Sequence, residues 1–104
     1  MGRSDQVLLE RILRMAYEKL REMLLLESYP HVYSHKFIGH NSEAFAAALL
    51  ALEEAFPRAR RVLQRESGGA RFLALTYEIH AESADEIITL ISATATLTDL
   101  KIVL

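Results

Sequence analysis

The first quarter of the chain carries the hydrophobic pattern of one long helix. Between Ser4 and Glu27 there is neither glycine nor proline. Apolar side chains recur there at alternating intervals of four and three residues, which is the spacing of one helical face. These positions are Leu9, Leu13, Ala16, Leu20 and Met23. Leu8, Ile12 and Met15 widen the stripe, so this amphipathic helix must bury itself against another surface.

A strand and a second helix are predicted next. Pro30 separates the strand, from His31 to Gly39, from the helix before it, because proline disfavours helical backbone in the preceding residue. Alternation gives this strand two faces, and we expect the aromatic face to be buried. That face consists of His31, Tyr33, His35 and Phe37. The helix that follows ends before Pro57. Its apolar face consists of Phe45, Leu49, Leu52 and Phe56.

Residues 58 to 80 are predicted to form a β-hairpin. Ser67, Gly68 and Gly69 form the turn signal at its centre. In its second strand one set of alternating residues is apolar, so that side is expected to face the core and the other to face solvent. The apolar set consists of Leu73, Leu75, Tyr77 and Ile79.

The remaining segments are predicted to be a helix and a strand. Residues 87 to 96 are rich in β-branched side chains and fit a strand on propensity alone. Ser83 followed three residues later by Glu86 is instead a helix capping box, and the apolar spacing after it is helical, so a helix is favoured. Residues 98 to 104 are predicted to be the last strand. Leu100, Ile102 and Leu104 are expected to share one of its faces.

Composition limits the class of protein. The chain has 104 residues, of which 51% are hydrophobic and 25% charged, with a net charge of −2, as expected of a single soluble globular domain. Because there is no cysteine, disulfides and thiolate metal sites are excluded. No apolar run approaches the ~20 residues of a membrane span, and the charged N-terminal residues do not fit an export signal. We therefore expect a cytoplasmic protein.

Three segments form a recognisable set: the aromatic-proline entry and strand at residues 29–39, the strand end at residues 77–81 and the terminal residues 100–104. Together they resemble the YbeD-like family of small bacterial proteins of unknown function. The resemblance covers residues 29–104 and implies an α+β fold, a ferredoxin-like β-α-β-β-α-β sandwich similar to ACT regulatory domains. It implies an antiparallel sheet of strand order 4-1-3-2 with both helices on one face. Residues 1–28 are an N-terminal helical extension that typical members lack, and the family brings no established activity.

Two groups of residues are candidates for a binding site, the histidines and the loop after the first strand. His31 and His35 would lie some 13 Å apart along a strand, so no metal site is expected. The loop formed by Gly39, His40, Asn41 and Ser42 precedes a helix whose backbone N–H groups could hold a small anion. The alternative is structural, with Gly39 serving a tight turn and Asn41 or Ser42 capping the helix.

A group of arginines on the predicted hairpin is the strongest local concentration of positive charge. They are Arg58, Arg60, Arg61, Arg65 and Arg71. Because aromatic residues are not interleaved among them, nucleic-acid binding is not expected. An edge strand protected by its charges is the favoured interpretation.

These features favour a non-enzymatic regulatory or protein-interaction module without a cofactor, since no nucleophile and base can be paired from the sequence. We expect self-association or a protein partner, because the N-terminal helix is surplus to the sandwich. That helix would either cover the open face of its own sheet or pair with a partner. Ile38, Phe72 and Val103 are expected on the exposed face of the sheet that the two sandwich helices leave open. With Leu9, Leu13 and Leu20 of the helix they form the candidate interaction surface. The alternative is an ACT-like sensor that binds an amino acid or another small anion through the Gly39–Ser42 loop at a dimer interface.

Overall fold

Every predicted helix and strand is present in the structure, a computed structural model that describes residues 3–104 and the side chains of residues 6–104. In chain order the elements are α1 (Arg3–Leu25), β1 (His31–His40), α2 (Glu43–Ala55), β2 (Ala59–Ser67), β3 (Phe72–Ala81), α3 (Ala84–Thr94) and β4 (Leu100–Val103). The Ser83 hydroxyl accepts a hydrogen bond from the backbone N–H of Glu86, which caps α3 as the sequence predicts. Capping and periodicity thus outweigh the β-branched composition of α3.

The four strands form one antiparallel sheet in the order β2-β3-β1-β4, which confirms the predicted α+β sandwich and its 4-1-3-2 topology. The long strands β1 and β3 are central and pair over ten residues each. Since β2 lies at one edge, Arg60, Arg61 and Arg65 lie on an edge strand, whereas Arg58 precedes this strand and Arg71 lies just before β3. Helices α2 and α3 cover one face of the sheet, and we call the opposite side the open face.

The core lies between these two helices and alternate residues of β1 and β3. Its centre is aromatic, because the rings of Phe37 and Tyr77 stack at 5.6 Å and Phe45 meets Phe37 edge-on at 6.4 Å. All three rings are fully buried. Phe37 and His35 point inward from β1, which confirms that the aromatic face of this strand is the buried one.

Gly39 lets α2 approach the sheet closely. The Phe45 ring lies against its backbone, and a Cβ atom at Gly39 would be 2.3 Å from the Phe45 Cζ atom. Ser42 caps the same helix by accepting a hydrogen bond from the Phe45 backbone N–H at 3.1 Å. Gly39 and Ser42 therefore fix both the ring and the backbone amide of Phe45.

Two β-bulges change which face the edge-strand residues occupy. Lys101 has no partner in β1, so Leu100 pairs with Gly39 on the helix-covered side while Ile102 pairs with Ile38 on the open face. Leu100 and Ile102 therefore lie on opposite faces of the sheet, and the prediction that they share one face with Leu104 is wrong. Val103 pairs with the buried Phe37, which places it on the helix-covered side and not, as predicted, on the open face.

A second bulge in β2 leaves Val62 without a partner in β3. The residues before it and after it follow alternation in opposite phase. This accounts for the loose alternation of the sequence between Arg58 and Arg65.

Helix α1 packs against α3, on the side of the sheet that is already covered by helices. Leu24 is buried, Leu20 is partly buried, and Arg21 forms an ion pair of 2.6 Å with Asp85 at the start of α3. The Tyr29 hydroxyl donates a hydrogen bond of 2.7 Å to the Leu24 carbonyl oxygen, which ties the end of α1 to the chain that follows. Of the two arrangements expected for this helix, coverage of its own open face is thus excluded.

The close approach at Gly39 predicts a strong effect of substitution. In Gly39→Ala the new methyl group would overlap the Phe45 ring, and we expect a loss of about 3 kcal/mol in the free energy of unfolding. Chemical denaturation followed by circular dichroism measures this. Gly69→Ala is the matched control, because Gly69 has no atom within 4 Å of its added Cβ and only a positive φ of 66° to disfavour alanine.

Phe45→Leu in the Gly39→Ala background distinguishes the overlap from other causes. Because the smaller side chain removes the clash, the double variant should lose less stability than the sum of the losses measured for the two single variants. A purely additive loss would show that the Phe45 ring is not responsible.

Candidate functional site

The loop formed by Gly39, His40, Asn41 and Ser42 is occupied by contacts within the chain. The Asn41 side-chain amide donates to the Ala70 carbonyl oxygen at 2.9 Å, and the Ser42 hydroxyl donates to an Asp99 carboxylate oxygen at 2.7 Å. The His40 ring lies 5.4 Å from the ring of Phe72. These contacts join the loop to the β2–β3 turn and to the segment before β4.

The charge around this loop is unfavourable for an anionic ligand. Asp99 and Glu43 place carboxylates beside the N-terminus of α2, and Ser42 already accepts from one of its backbone N–H groups. The helix dipole that could attract an anion is thus partly compensated by the chain itself. These contacts favour the structural interpretation of the loop over the small-anion sensor.

His35 lies inside the core and interacts with Thr94 of α3. Its Nε2 atom is 2.7 Å from the Thr94 hydroxyl oxygen, and that hydroxyl donates to the Ile91 carbonyl oxygen at 2.8 Å. Because a hydroxyl has only one proton, the Nε2–H group of a neutral His35 must be the donor to Thr94. Burial lowers the pKa of His35 to about 4, so the ring is uncharged at neutral pH.

A second polar cluster, partly buried, links α2, β2 and β3. The Tyr77 hydroxyl donates to the Glu53 carboxylate at 2.7 Å, and the Arg61 Nε–H donates to the same carboxylate oxygen at 2.9 Å. Burial, with the bond to Glu53, raises the pKa of Tyr77, so its hydroxyl stays protonated at neutral pH. Each of the three side chains is held by the other two, which suits a structural clamp.

The hairpin arginines do not form one patch. Arg58 forms ion pairs with Glu82 and Glu86 beside α3, and Arg61 belongs to the clamp on the helix-covered side. Arg60 and Arg65 instead pair with open-face positions of β3. The bulge at Val62 and the strand alternation together separate residues that are adjacent in sequence.

The other sequence candidates lie apart from one another. His31 is partly exposed, His40 and His80 are exposed, and His35 is buried. Among the described residues, no three His, Asp or Glu side chains are placed to hold one metal ion. A cleft of about 160 Å³ between Phe56, Ile79 and Glu86 is smaller than the ~300 Å³ at which small-molecule sites begin.

The predicted interaction surface divides into two separate parts. Leu9 and Leu13 are exposed on α1, whereas Leu20 is partly buried against α3. Ile38 and Phe72 lie on the open face, on neighbouring strands. Sequence analysis did not anticipate that basic side chains would collect around Ile38, because the positions of Arg65 and Lys101 depend on the two bulges.

Comparison with known proteins places this fold in a family. Residues 25–104 match the profile of a family described as a protein of unknown function, DUF493. The chain belongs to this family, which includes the YbeD-like proteins, and the resemblance in the sequence is thereby confirmed.

A solved structure is similar to the chain in fold. Protein HP0495 from H. pylori, determined in solution, matches with a TM-score of 0.62 and 16% identity, covering 75% of this chain and 85% of its own. No curated protein matches the chain. Within the described residues, no helix is both long enough and apolar enough to cross a membrane.

The buried His35 predicts a pH-dependent loss of stability. In the unfolded chain a histidine titrates near its ordinary pKa of 6.5, whereas in the fold His35 titrates at about 4. The unfolded state therefore binds a proton first, and the free energy of unfolding should fall by about 3 kcal/mol as the pH drops from 6.5 to 4. Above pH 6.5 this contribution is constant.

Denaturation across this pH range in His35→Gln tests the assignment. Glutamine keeps an N–H donor for Thr94 but does not titrate, so the variant should lack this part of the pH dependence. The exposed His80→Gln is the control and should retain it. An unchanged slope in His35→Gln would show that other groups cause the loss.

Proposed function

We propose that the protein is a non-enzymatic protein-interaction module that pairs with a second copy of itself through α1. The observation that carries this proposal is the apolar surface that α1 leaves uncovered. Leu8, Leu9 and Ile12 are 56%, 56% and 53% exposed, and Met15 is 62% exposed. An apolar strip of this kind along a well-formed helix is typical of a surface that binds another protein.

The uncovered part of α1 is longer than its contact with the rest of the chain. Only Tyr17, Leu20 and Leu24 lose much exposure between residues 6 and 25, a stretch about 30 Å long. An amphipathic helix gains most of its stability from the burial of its apolar face. The N-terminal half of α1 thus gains stability if a partner covers it.

A second copy suits this surface because the charges of α1 are nearly balanced. Between residues 6 and 25, three glutamates are interspersed with four basic residues. Two such helices do not repel each other strongly, and one helix offers the other the same apolar strip. A two-fold contact of this type closes on itself and gives a dimer.

The polar groups of the core support a role without catalysis. His35, Tyr77 and Arg61 are the described residues that combine a shifted pKa with a hydrogen bond to another side chain. Their shifts hold His35 neutral and Tyr77 protonated near neutral pH, so neither is suited to exchange protons there. Thr94, the partner of His35, is buried, and the partly exposed Glu53 and Arg61 bond to each other and to Tyr77.

Substitution on α1 tests the pairing. We expect the wild-type protein to have a molar mass near twice the 11.8 kDa of one chain in sedimentation velocity. In Leu9→Gln/Ile12→Gln the dissociation constant should rise at least about a hundredfold, because four apolar side chains per dimer lose their contacts. Since both residues are exposed in the single chain, its fold and thermal stability as a monomer should not change.

Arg11→Gln/Arg14→Gln is the matched control, with the same replacement and spacing on the charged side of α1. It should remain dimeric. A wild-type protein that is monomeric at every concentration, and is unaffected by deletion of residues 1–27, would overturn the proposal.

A further inference from the structure

The open face of the sheet combines apolar and basic side chains in an ordered way. Ala74, Ile38 and Ile102 lie side by side across β3, β1 and β4 and form an apolar row. Basic side chains lie around this row. They are Lys36, Arg65, Arg71 and Lys101, and together with the row they form what we call the basic sheet face.

The positive charge of this face is not neutralised within the chain. Among the residues that the structure describes, no carboxylate forms an ion pair with Lys36, Arg65 or Lys101. The one open-face carboxylate, Glu78, lies opposite Arg60 across the β2–β3 pair. The face is therefore basic, although the whole chain has a net charge of −2.

The charged residues of α2 and α3, on the other side of the sheet, are all acidic. Helices α2 and α3 contain no lysine or arginine. Their carboxylates are Glu43, Glu53, Glu54, Asp85 and Glu86. Asp85, Glu86 and Glu53 form ion pairs with arginines, whereas the basic side chains of the open face have no such partner among the described residues. The unpaired positive charge of the open face can therefore attract and orient an acidic partner.

From this arrangement we infer that the basic sheet face binds an acidic protein segment whose apolar side chains contact the Ala74–Ile38–Ile102 row. The basic side chains of the face would form ion pairs with the carboxylates of the segment, and the apolar row would contact the apolar side chains of the segment. Ile102 of the row is 48% exposed, and Val32 and Leu63, 49% and 55% exposed, offer further apolar contacts on the same face. Mixed recognition of this kind gives both steering and specificity.

Single-stranded nucleic acid fits the face less well than an acidic protein segment. Base stacking needs aromatic rings with a free surface, and the aromatic side chain of the open face of β3 is Phe72. Its ring is already contacted by the Lys101 ammonium at 3.8 Å from the ring centre and by the Arg71 guanidinium at 5.7 Å. The next open-face positions of β3, Ala74 and Thr76, have no aromatic ring on which a base could stack.

A second copy of the chain is also disfavoured as the occupant of this face. Two basic sheet faces would repel each other. The basic face of one copy against the acidic helices of another would form a head-to-tail contact, which continues into a filament unless the rotation closes a ring. The inference is independent of the α1 pairing, because α1 lies on the opposite side of the sheet.

The size of the face suits a reversible complex. The strands lie about 4.8 Å apart and contain ten, ten, nine and four residues at about 3.3 Å each, so the face presents roughly 500 Å², less than the ~800 Å² that each partner contributes to a standard interface. A partner that uses only this face would therefore bind and dissociate readily, with an affinity that falls as salt is added.

Selection from a random peptide library tests the inference without knowledge of the natural partner. Phage-displayed 12-residue peptides are panned on the full-length protein, and the selected peptides are synthesised and measured by fluorescence anisotropy. We expect enrichment of Asp and Glu together with Leu, Ile or Phe. In Lys36→Glu/Arg65→Glu, which changes two exposed side chains of the face, the dissociation constant of these peptides should rise by about ten- to a hundredfold.

Arg11→Glu/Arg14→Glu is the matched control, because it makes the same charge change on α1 and should leave the affinity within about twofold. Amide chemical-shift changes on peptide addition should map to β1, β3 and β4 and not to α2. The inference is overturned if the selected peptides show no acidic enrichment or bind the Lys36→Glu/Arg65→Glu protein equally well. It is also overturned if a 12-nucleotide oligouridylate binds the wild-type face more tightly than the selected peptides.

Discussion

The Phe45 ring lies directly on the backbone of Gly39, and the position of α2 on the sheet depends on this contact. The same ring meets Phe37 edge-on, and Phe37 stacks on Tyr77, so one continuous aromatic group joins α2, β1 and β3. Because Ser42 caps α2 at Phe45, the loop before the helix is fixed at the same place. Because the Gly39–Ser42 loop holds α2 in place, it has little freedom to rearrange around a ligand.

Hydrogen bonds between polar side chains also hold the helices on the sheet. His35 bonds to Thr94 across the β1–α3 contact, and Glu53 with Arg61 and Tyr77 ties α2 to the hairpin. A polar group inside a core is costly unless its bonding is satisfied, and no described buried side-chain polar atom lacks a partner. Function is therefore best sought on the exposed surfaces, where α1 and the open sheet face remain uncovered.

Much of this fold could be predicted because its local signals agree with one another. Alternation identified the buried side of β1 and β3, and the Ser83–Glu86 cap identified α3 despite its β-branched residues. The bulges at Val62 and Lys101 could not be predicted, since one unpaired residue changes the face of its neighbours without leaving a signal in the hydrophobic pattern. The bulge at Lys101 is the reason why Val103 was predicted on the wrong face of the sheet, and the two bulges together are the reason why the basic sheet face was not predicted. The docking of α1 on α3 was equally inaccessible, because a broad apolar stripe shows only that something must cover it.

The two uncovered surfaces lie on opposite sides of the sheet, and this has a physical consequence for how they would act together. A dimer formed through α1 leaves the basic sheet faces of both copies accessible, since α1 packs on the side of α2 and α3. A partner with two acidic segments could then bind both faces, and its second contact would occur at a high effective concentration. A face of roughly 500 Å² that binds weakly alone would bind such a partner much more tightly in the dimer. The apolar helix would in this way control the affinity of the basic sheet without contacting it.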